Sequence, residues 1–143
     1  VKFSRYKQNH ILINVSFDTL ILYGNAVKKM GIYDTVHRMC DEQGIAVTDF
    51  TGIEPNPRHS TVDRAVRFLQ EKGADCIVAA GGGSLMDSAK AVSFPAFHEG
   101  SCWDYYEGKA VAEKALPVIT IPTLAGSGAE VSNVSVISNH EKT

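Results

Sequence analysis

Asp75-Cys76-Ile77-Val78-Ala79-Ala80-Gly81-Gly82-Gly83-Ser84-Leu85-Met86-Asp87-Ser88-Ala89-Lys90 is the stretch on which the fold turns. Cys76 to Ala80 form a continuous apolar run with no polar alternation, the pattern of a strand covered on both faces in a parallel sheet. Three glycines then break the extended chain. Leu85, Ala89 and Val92 follow at helical spacing, so the run reads strand, glycine bend, helix in immediate succession.

The same alternation extends in both directions. Thr19-Leu20-Ile21-Leu22-Tyr23 is a short β-rich run stopped by Gly24, and Ile32, Val36, Met39, Cys40 and Gln43 keep helical spacing up to Gly44. Ile45 to Phe50 reads as a second strand. In Gly52-Ile53-Glu54-Pro55-Asn56-Pro57, two prolines remove two backbone donors and preclude regular structure. Ser60 is the expected N-cap of the next helix, with Asp63 favoured by the helix dipole and Val62, Ala65, Val66 and Leu69 on its apolar face. Downstream, a loop carries Trp103-Asp104-Tyr105-Tyr106, Pro117 to Pro122 makes a fourth strand, and Asn133 to Ser138 a fifth. Residues 1–18 show no clear period, with His10 to Ile13 as a short candidate strand. Strands alternating with helices predict one α/β domain, a mostly parallel sheet with helices on both faces, spanning residues 1–143. Ligands in such sheets bind at the carboxyl ends of the strands. The loops after Tyr23, Phe50, Ala80 and Pro122 are therefore the candidates.

Composition narrows the function. A net charge of −2 with scattered charges gives no reason to expect nucleic acid or an anionic membrane as partner. No stretch approaches the roughly 20 apolar residues of a membrane span. Three widely spaced cysteines, Cys40, Cys76 and Cys102, fit neither a disulfide framework nor a zinc ribbon, so a cytoplasmic, reducing setting is expected, with each thiol acting as a small hydrophobe. His10, His37, His59, His98 and His140 show no metal-ligand spacing and read as surface or loop residues.

The bend carries the chemistry. Glycines let the main chain approach a ligand closely, and the helix that follows offers free amides and a partial positive charge suited to a pyrophosphate. Ser84 can donate to the same oxygens. The spacing is neither Gly-x-Gly-x-x-Gly nor that of a P-loop, so a plain strand-to-helix turn stays open as the alternative. A second loop, Ile121-Pro122-Thr123-Leu124-Ala125-Gly126-Ser127-Gly128-Ala129-Glu130, also leaves a strand end with hydroxyls and glycines.

Gly81-Gly82-Gly83-Ser84-x-x-Asp87-x-x-Lys90 resembles the glycine signature of the iron-containing, group III alcohol dehydrogenases. Ile121-Pro122-Thr123-x-Ala125-Gly126-Ser127-Gly128-x-Glu130 resembles that family's second signature, and Pro55-Asn56-Pro57 its Pro-Asn-Pro loop. All three occur in the family's order, from about Thr19 to the end of the chain. Lys28 to Asp34 is similar to the butanol dehydrogenase and aldehyde reductase branch. The resemblance implies a Rossmann-like, dehydroquinate synthase-like dinucleotide-binding domain. It implies that Gly81, Gly82, Gly83 and Ser84 hold the cofactor pyrophosphate and that Asp87 lies near the nicotinamide, its other reading being a helix charge paired with Lys90. Asn56 would meet the adenosine, with Thr123, Leu124 and Ser127 along the adenine and ribose wall.

Two departures follow. Some family members carry an Asp after the first strand that binds the ribose 2′-hydroxyl and repels a 2′-phosphate. Here that place holds Gly24-Asn25, so the expected cofactor is NADP or NAD, with NADP modestly preferred. The family's catalytic divalent metal, iron or zinc, is held by a helical carboxyl-terminal domain whose matching positions would lie beyond Thr143. No catalytic residue or metal ligand is expected within the chain. The implied chemistry is hydride transfer between the nicotinamide and a small alcohol or aldehyde, with the isolated chain inactive. The alternative is a truncated, non-catalytic module that binds a nucleotide or a partner. Glycerol dehydrogenases and dehydroquinate synthases share the bend but are less favoured by the other two motifs. Self-association into a homo-oligomer is left open.

Overall fold

The computed structural model describes residues 18–141. Four parallel strands make the sheet: β1 (Asp18–Tyr23), β2 (Ala46–Phe50), β3 (Cys76–Gly81) and β4 (Val118–Pro122), in the order β2-β1-β3-β4. The candidate strand at His10 to Ile13 lies outside the described residues.

Side-chain alternation along the strands decides which helix covers which face. Leu20, Leu22, Ile77 and Ala79 point to one side, where α3 (His59–Lys72) and α4 (Gly83–Ser93) bury Val62, Ala65, Val66, Leu69, Met86, Ala89 and Val92 against them. Ile21, Tyr23, Val78 and Ala80 point to the other side, against Val27 of α1 (Asn25–Lys29) and Ile32, Tyr33 and Val36 of α2 (Ile32–Asp41). The expected α/β architecture with both faces covered is what forms. The two layers are unequal, because α3 buries five residues and α2 none. At about 1.5–3 kcal/mol per large apolar side chain fully buried, the α3–α4 layer supplies most of the hydrophobic stabilisation.

Four local expectations are corrected. Ser60 is not the N-cap: α3 starts at His59, and Arg58 precedes it without a side-chain cap. The Glu54 carboxylate from the preceding loop accepts the Arg58 amide at 3.2 Å and the Thr61 hydroxyl at 3.0 Å instead. Asp63 is drawn out of any dipole role by tertiary contacts, accepting from the Ser101 hydroxyl and the Cys102 amide, each at 2.7 Å. Trp103–Tyr106 closes into one helical turn, α5. No strand forms over residues 133–138; a single bridge, Arg58 to Ser138, is all the pairing there. The carbonyls of Ala129, Ser132 and Val134 turn to a lysine rather than to a neighbouring strand.

The cysteines are all free, Cys102 fully buried and Cys40 and Cys76 half-buried. No helix among the described residues is long and apolar enough to cross a membrane.

Candidate functional site

The strand order reverses direction between β1 and β3. From β1 the chain moves outward to β2, then crosses back over β1 to reach β3 and continues to β4. Such a switch point leaves a crevice at the carboxyl ends of the two strands, with their following loops departing to opposite faces. Tyr23 and Ala80 are register partners, so Gly24, just past β1, and Gly81, the last residue of β3, follow side by side. Leu85, on the first turn of α4, fills the gap between them. A Cβ at Gly24 would lie 3.5 Å from Leu85 Cδ1, and one at Gly81 would lie 2.2 Å from it.

Gly82 is the N-cap of α4 and has no side chain to satisfy the first amides. The amides of Leu85 and Met86 both turn back to the Gly82 carbonyl, leaving those of Gly83 and Ser84 without an acceptor within the helix. Gly82, Gly83 and Ser84 are half-buried, unlike Gly81 before them, which is buried. The bend is not sealed beneath side chains.

The other two motif loops converge on the same place. Gly81 pairs with Pro122, and the Thr123 amide donates to the Gly81 carbonyl at 2.9 Å. A Cβ on Gly82 would meet Leu124 Cδ1 at 3.4 Å, and one on Gly83 would come within 3.0 Å of Ser127 Cβ. Leu124 is 70% exposed, an apolar side chain standing free beside the glycines. From the opposite side the Asn56 amide donates to the Ser84 hydroxyl at 3.4 Å. Asn56 adopts a left-handed conformation, φ 54°, which Asn tolerates better than most residues. Gly24, Asn56, Gly81 to Ser84, Thr123, Leu124 and Ser127 are therefore gathered around one helix N-terminus, with Asn25 opening the short helix after Gly24.

Asp87 lies one turn further along α4. Its carboxylate pairs with Lys90 at 2.9 Å, both side chains more than four-fifths buried. Tyr106 is near: burial pushes its phenol up to about 12, and the Asp87 charge adds in the same direction. The Asp87–Lys90 pair is the other reading that the sequence left open for Asp87. Sequence reasoning missed Leu85 as the floor between the two glycine turns, because a leucine at helical spacing reads as ordinary core. It also missed the backbone contacts of Lys90, for which a sequence carries no signal.

Among the described residues the histidines do not converge. His37 is half-buried in α2, 3.0 Å from the Asp49 carboxylate that also accepts the Tyr33 hydroxyl. His59 heads α3, a nearly buried position rather than the expected surface one, with Nε2 3.7 Å from Glu141 and Nδ1 buried without a partner among the described residues. His98 lies 3.4 Å from Asp104. Among the described residues no three His, Cys, Asp or Glu side chains come together as metal ligands.

Residues 7–143 match the family model described as iron-containing alcohol dehydrogenase. The chain is 37% identical, over 98% of its own length, to a probable NADH-dependent butanol dehydrogenase 2 of Bacillus subtilis, of which it spans 34%. It superposes on NADH-dependent butanol dehydrogenase A of Thermotoga maritima with a TM-score of 0.84 at 38% identity, covering 88% of this chain and 32% of that one. A sulfoacetaldehyde reductase of Bifidobacterium kashiwanohense, solved in complex with NAD+, gives a TM-score of 0.77 at 34% identity over 88% of this chain and 33% of that one. The chain thus spans about a third of the length of the relatives it matches. With its parallel sheet, glycine bend and converging loops, it belongs to the iron-containing alcohol dehydrogenase family.

Proposed function

We propose that residues 1–143 act as a dinucleotide-binding domain, holding NAD or NADP against the bend at Gly81 to Ser84. In this reading they serve hydride transfer between the nicotinamide and a small alcohol or aldehyde. The observation that carries the reading is the pair of acceptor-free amides at Gly83 and Ser84, at a helix N-terminus on a topological switch point. Two aligned amides and the helix dipole suit a pyrophosphate, each charge-assisted bond contributing more than a neutral one. Ser84 adds a hydroxyl, Asn56 closes the adenosine side, and Thr123, Leu124 and Ser127 form the adenine and ribose wall. Asp87, neutralised by Lys90, stands toward the nicotinamide end.

When bound, the nicotinamide ring supplies or takes up the hydride. The residues of this chain bind and orient it, and none is assigned a catalytic role. The family's metal, iron by its name with zinc as the alternative, has no ligand set among the described residues, so no step is assigned to it here. Turnover would draw on ligands from outside residues 18–141.

Cofactor choice rests on Gly24-Asn25. Without a carboxylate there, a 2′-phosphate meets no repulsion, which supports acceptance of NADPH alongside NADH. Two of the relatives named above are described as NADH-dependent, which supports NADH as a working cofactor and weighs against a strong NADPH preference.

The test is a titration of the 143-residue protein with NADH and NADPH, read by cofactor fluorescence. Saturable binding of either, without butanol oxidation when iron(II) is added, is the expected result. Folded protein that binds neither cofactor would overturn the reading.

A further inference from the structure

Beyond the packing of Ala129 in the core, one side chain makes the hydrogen bonds that hold the segment after the second glycine loop to the rest of the domain. After Thr123, whose amide bonds to Gly81, the amides of residues 124–134 make only local hydrogen bonds. Val131 and Ser132 donate to the Gly128 carbonyl, Ala129 to the Ser127 hydroxyl, and Val134 to the Ser132 hydroxyl. The next outward bond of the chain is between the Ser135 and Tyr106 hydroxyls. Between those two points, among the described residues, every hydrogen bond from the segment to another element goes to Lys90. Its ammonium donates to the Ala129 carbonyl at 3.1 Å, to that of Ser132 at 3.3 Å and to that of Val134, while its charge faces Asp87.

An ammonium has three donors and no acceptor, and here it meets three carbonyls and a carboxylate. It lies on the wall of a 460 Å³ cleft between α4, β4 and residues 129–135, with its side chain 17% exposed. Ala129 is the one buried residue of the segment, packed in the core beside α4, while Val131 and Val134 are exposed and add little burial.

We infer that Lys90 is a positioning residue for the cofactor site: it clasps residues 129–134 onto α4 and thereby keeps Ser127 and Leu124 against the glycine bend. The clasp stands on the hydrogen bonds of Lys90, and its effect on the cofactor rests on the proposed function. The loop is pinned at its start by the sheet and at its end by Lys90. The stretch between contains Gly126 and Gly128, both at left-handed φ, and forms no helix or strand. Release of the far pin frees the wall while leaving the bend intact.

Hydrogen exchange of the full chain, read by mass spectrometry, with parallel NADH titrations, separates the two halves. Lys90→Met is expected to speed exchange in residues 124–134 while Ile77 to Gly81 stay as protected as in the parent, and to weaken NADH binding about tenfold. Lys90→Arg keeps the cation beside Asp87 but presents its donors in a plane, so it is expected to fold and to show the same changes to a smaller degree. It serves as the reporter if Lys90→Met does not fold. Unchanged exchange in 124–134 in the folded variants overturns the clasp. Faster exchange with unaltered NADH affinity overturns the positioning role. If the parent itself binds neither NADH nor NADPH while exchange responds as expected, the clasp stands and the cofactor reading falls.

Discussion

Gly83 and Ser127 touch: a Cβ built on Gly83 would come 3.0 Å from Ser127 Cβ and 3.2 Å from its Oγ. Two loops 44 positions apart in sequence are thus packed backbone to side chain at the start of α4. The contact is tighter than ordinary van der Waals separation allows for a new methyl group.

Gly83→Ala is therefore expected to push the second loop away from the bend. Overpacking of this kind costs about 1 kcal/mol or somewhat more in stability. The loss in NADH affinity is expected to exceed what the stability change explains, about five- to tenfold, because the methyl enters the proposed pyrophosphate cradle. Adding Ser127→Gly removes the obstructing atoms and restores most of the stability. Thermal unfolding and cofactor titration of the single and double variants check this, and a double variant no more stable than Gly83→Ala would refute it.

Gly24 has ordinary extended geometry, φ −104° and ψ 166°, and a Cβ there meets only Leu85 Cδ1 at 3.5 Å. Aspartate can therefore be placed at this position without strain. Gly24→Asp should lower NADPH affinity by about tenfold or more and NADH affinity by less than about threefold, since the carboxylate repels a 2′-phosphate but can accept from a 2′-hydroxyl. Equal losses for both cofactors would show that the 2′ position is not read here.

Asp63 joins α3 to the start of α5 through two charge-assisted bonds of 2.7 Å, to Ser101 Oγ and the Cys102 amide. Asp63→Ala leaves the amide unpaired beside a buried residue, and a loss of about 2–3 kcal/mol is expected from urea unfolding. Cofactor affinity should not change in the folded variant, as neither Asp63 nor its two donors are among the residues proposed to hold the cofactor. A loss under about 0.5 kcal/mol, the range of an unremarkable surface change, would rule this account out.

Burial pushes the Cys102 thiol well above its ordinary 9.0, and the facing Asp63 raises it further. A folded-state value above the unfolded one means that the contribution to stability is whole below about pH 9 and is lost as pH rises past it, because only the unfolded chain then releases the proton. Each pH unit above that point removes up to about 1.4 kcal/mol through this group. Tyr106, shifted from 10.0 up to about 12, adds to the alkaline loss in the same direction. Urea midpoints between about pH 9 and 11 should fall steeply for the parent and less steeply for Cys102→Ala. Identical slopes would dismiss Cys102 as the source.

Much was legible in the chain itself. The apolar runs at Leu20 and Ile77 had to be strands covered on both faces, since neither alternates. The glycines after Tyr23 and Ala80 had to end them, and the helices between had to cover the sheet. Those are local consequences of side-chain pattern and backbone freedom, so residue order suffices to determine them. The bend at Gly81 to Ser84 belongs with them, because its amides are left open by the helix start alone.

What only the tertiary structure decided is which distant pieces meet. The order β2-β1-β3-β4 puts Gly24 beside Gly81 and brings Asn56, Thr123 and Ser127 to one helix end. Ser60 has the better intrinsic capping side chain, yet the first helical amide, that of His59, donates to the distant Ser138 carbonyl, and Glu54 accepts the Arg58 amide just before it. Val134 and Val136 look like a strand, but a strand needs a neighbour, and their segment is tethered to Lys90 instead. A hydrogen bond to a main-chain carbonyl leaves no mark on residue identity, because every residue has one. Such contacts arise only when packing brings the groups within reach.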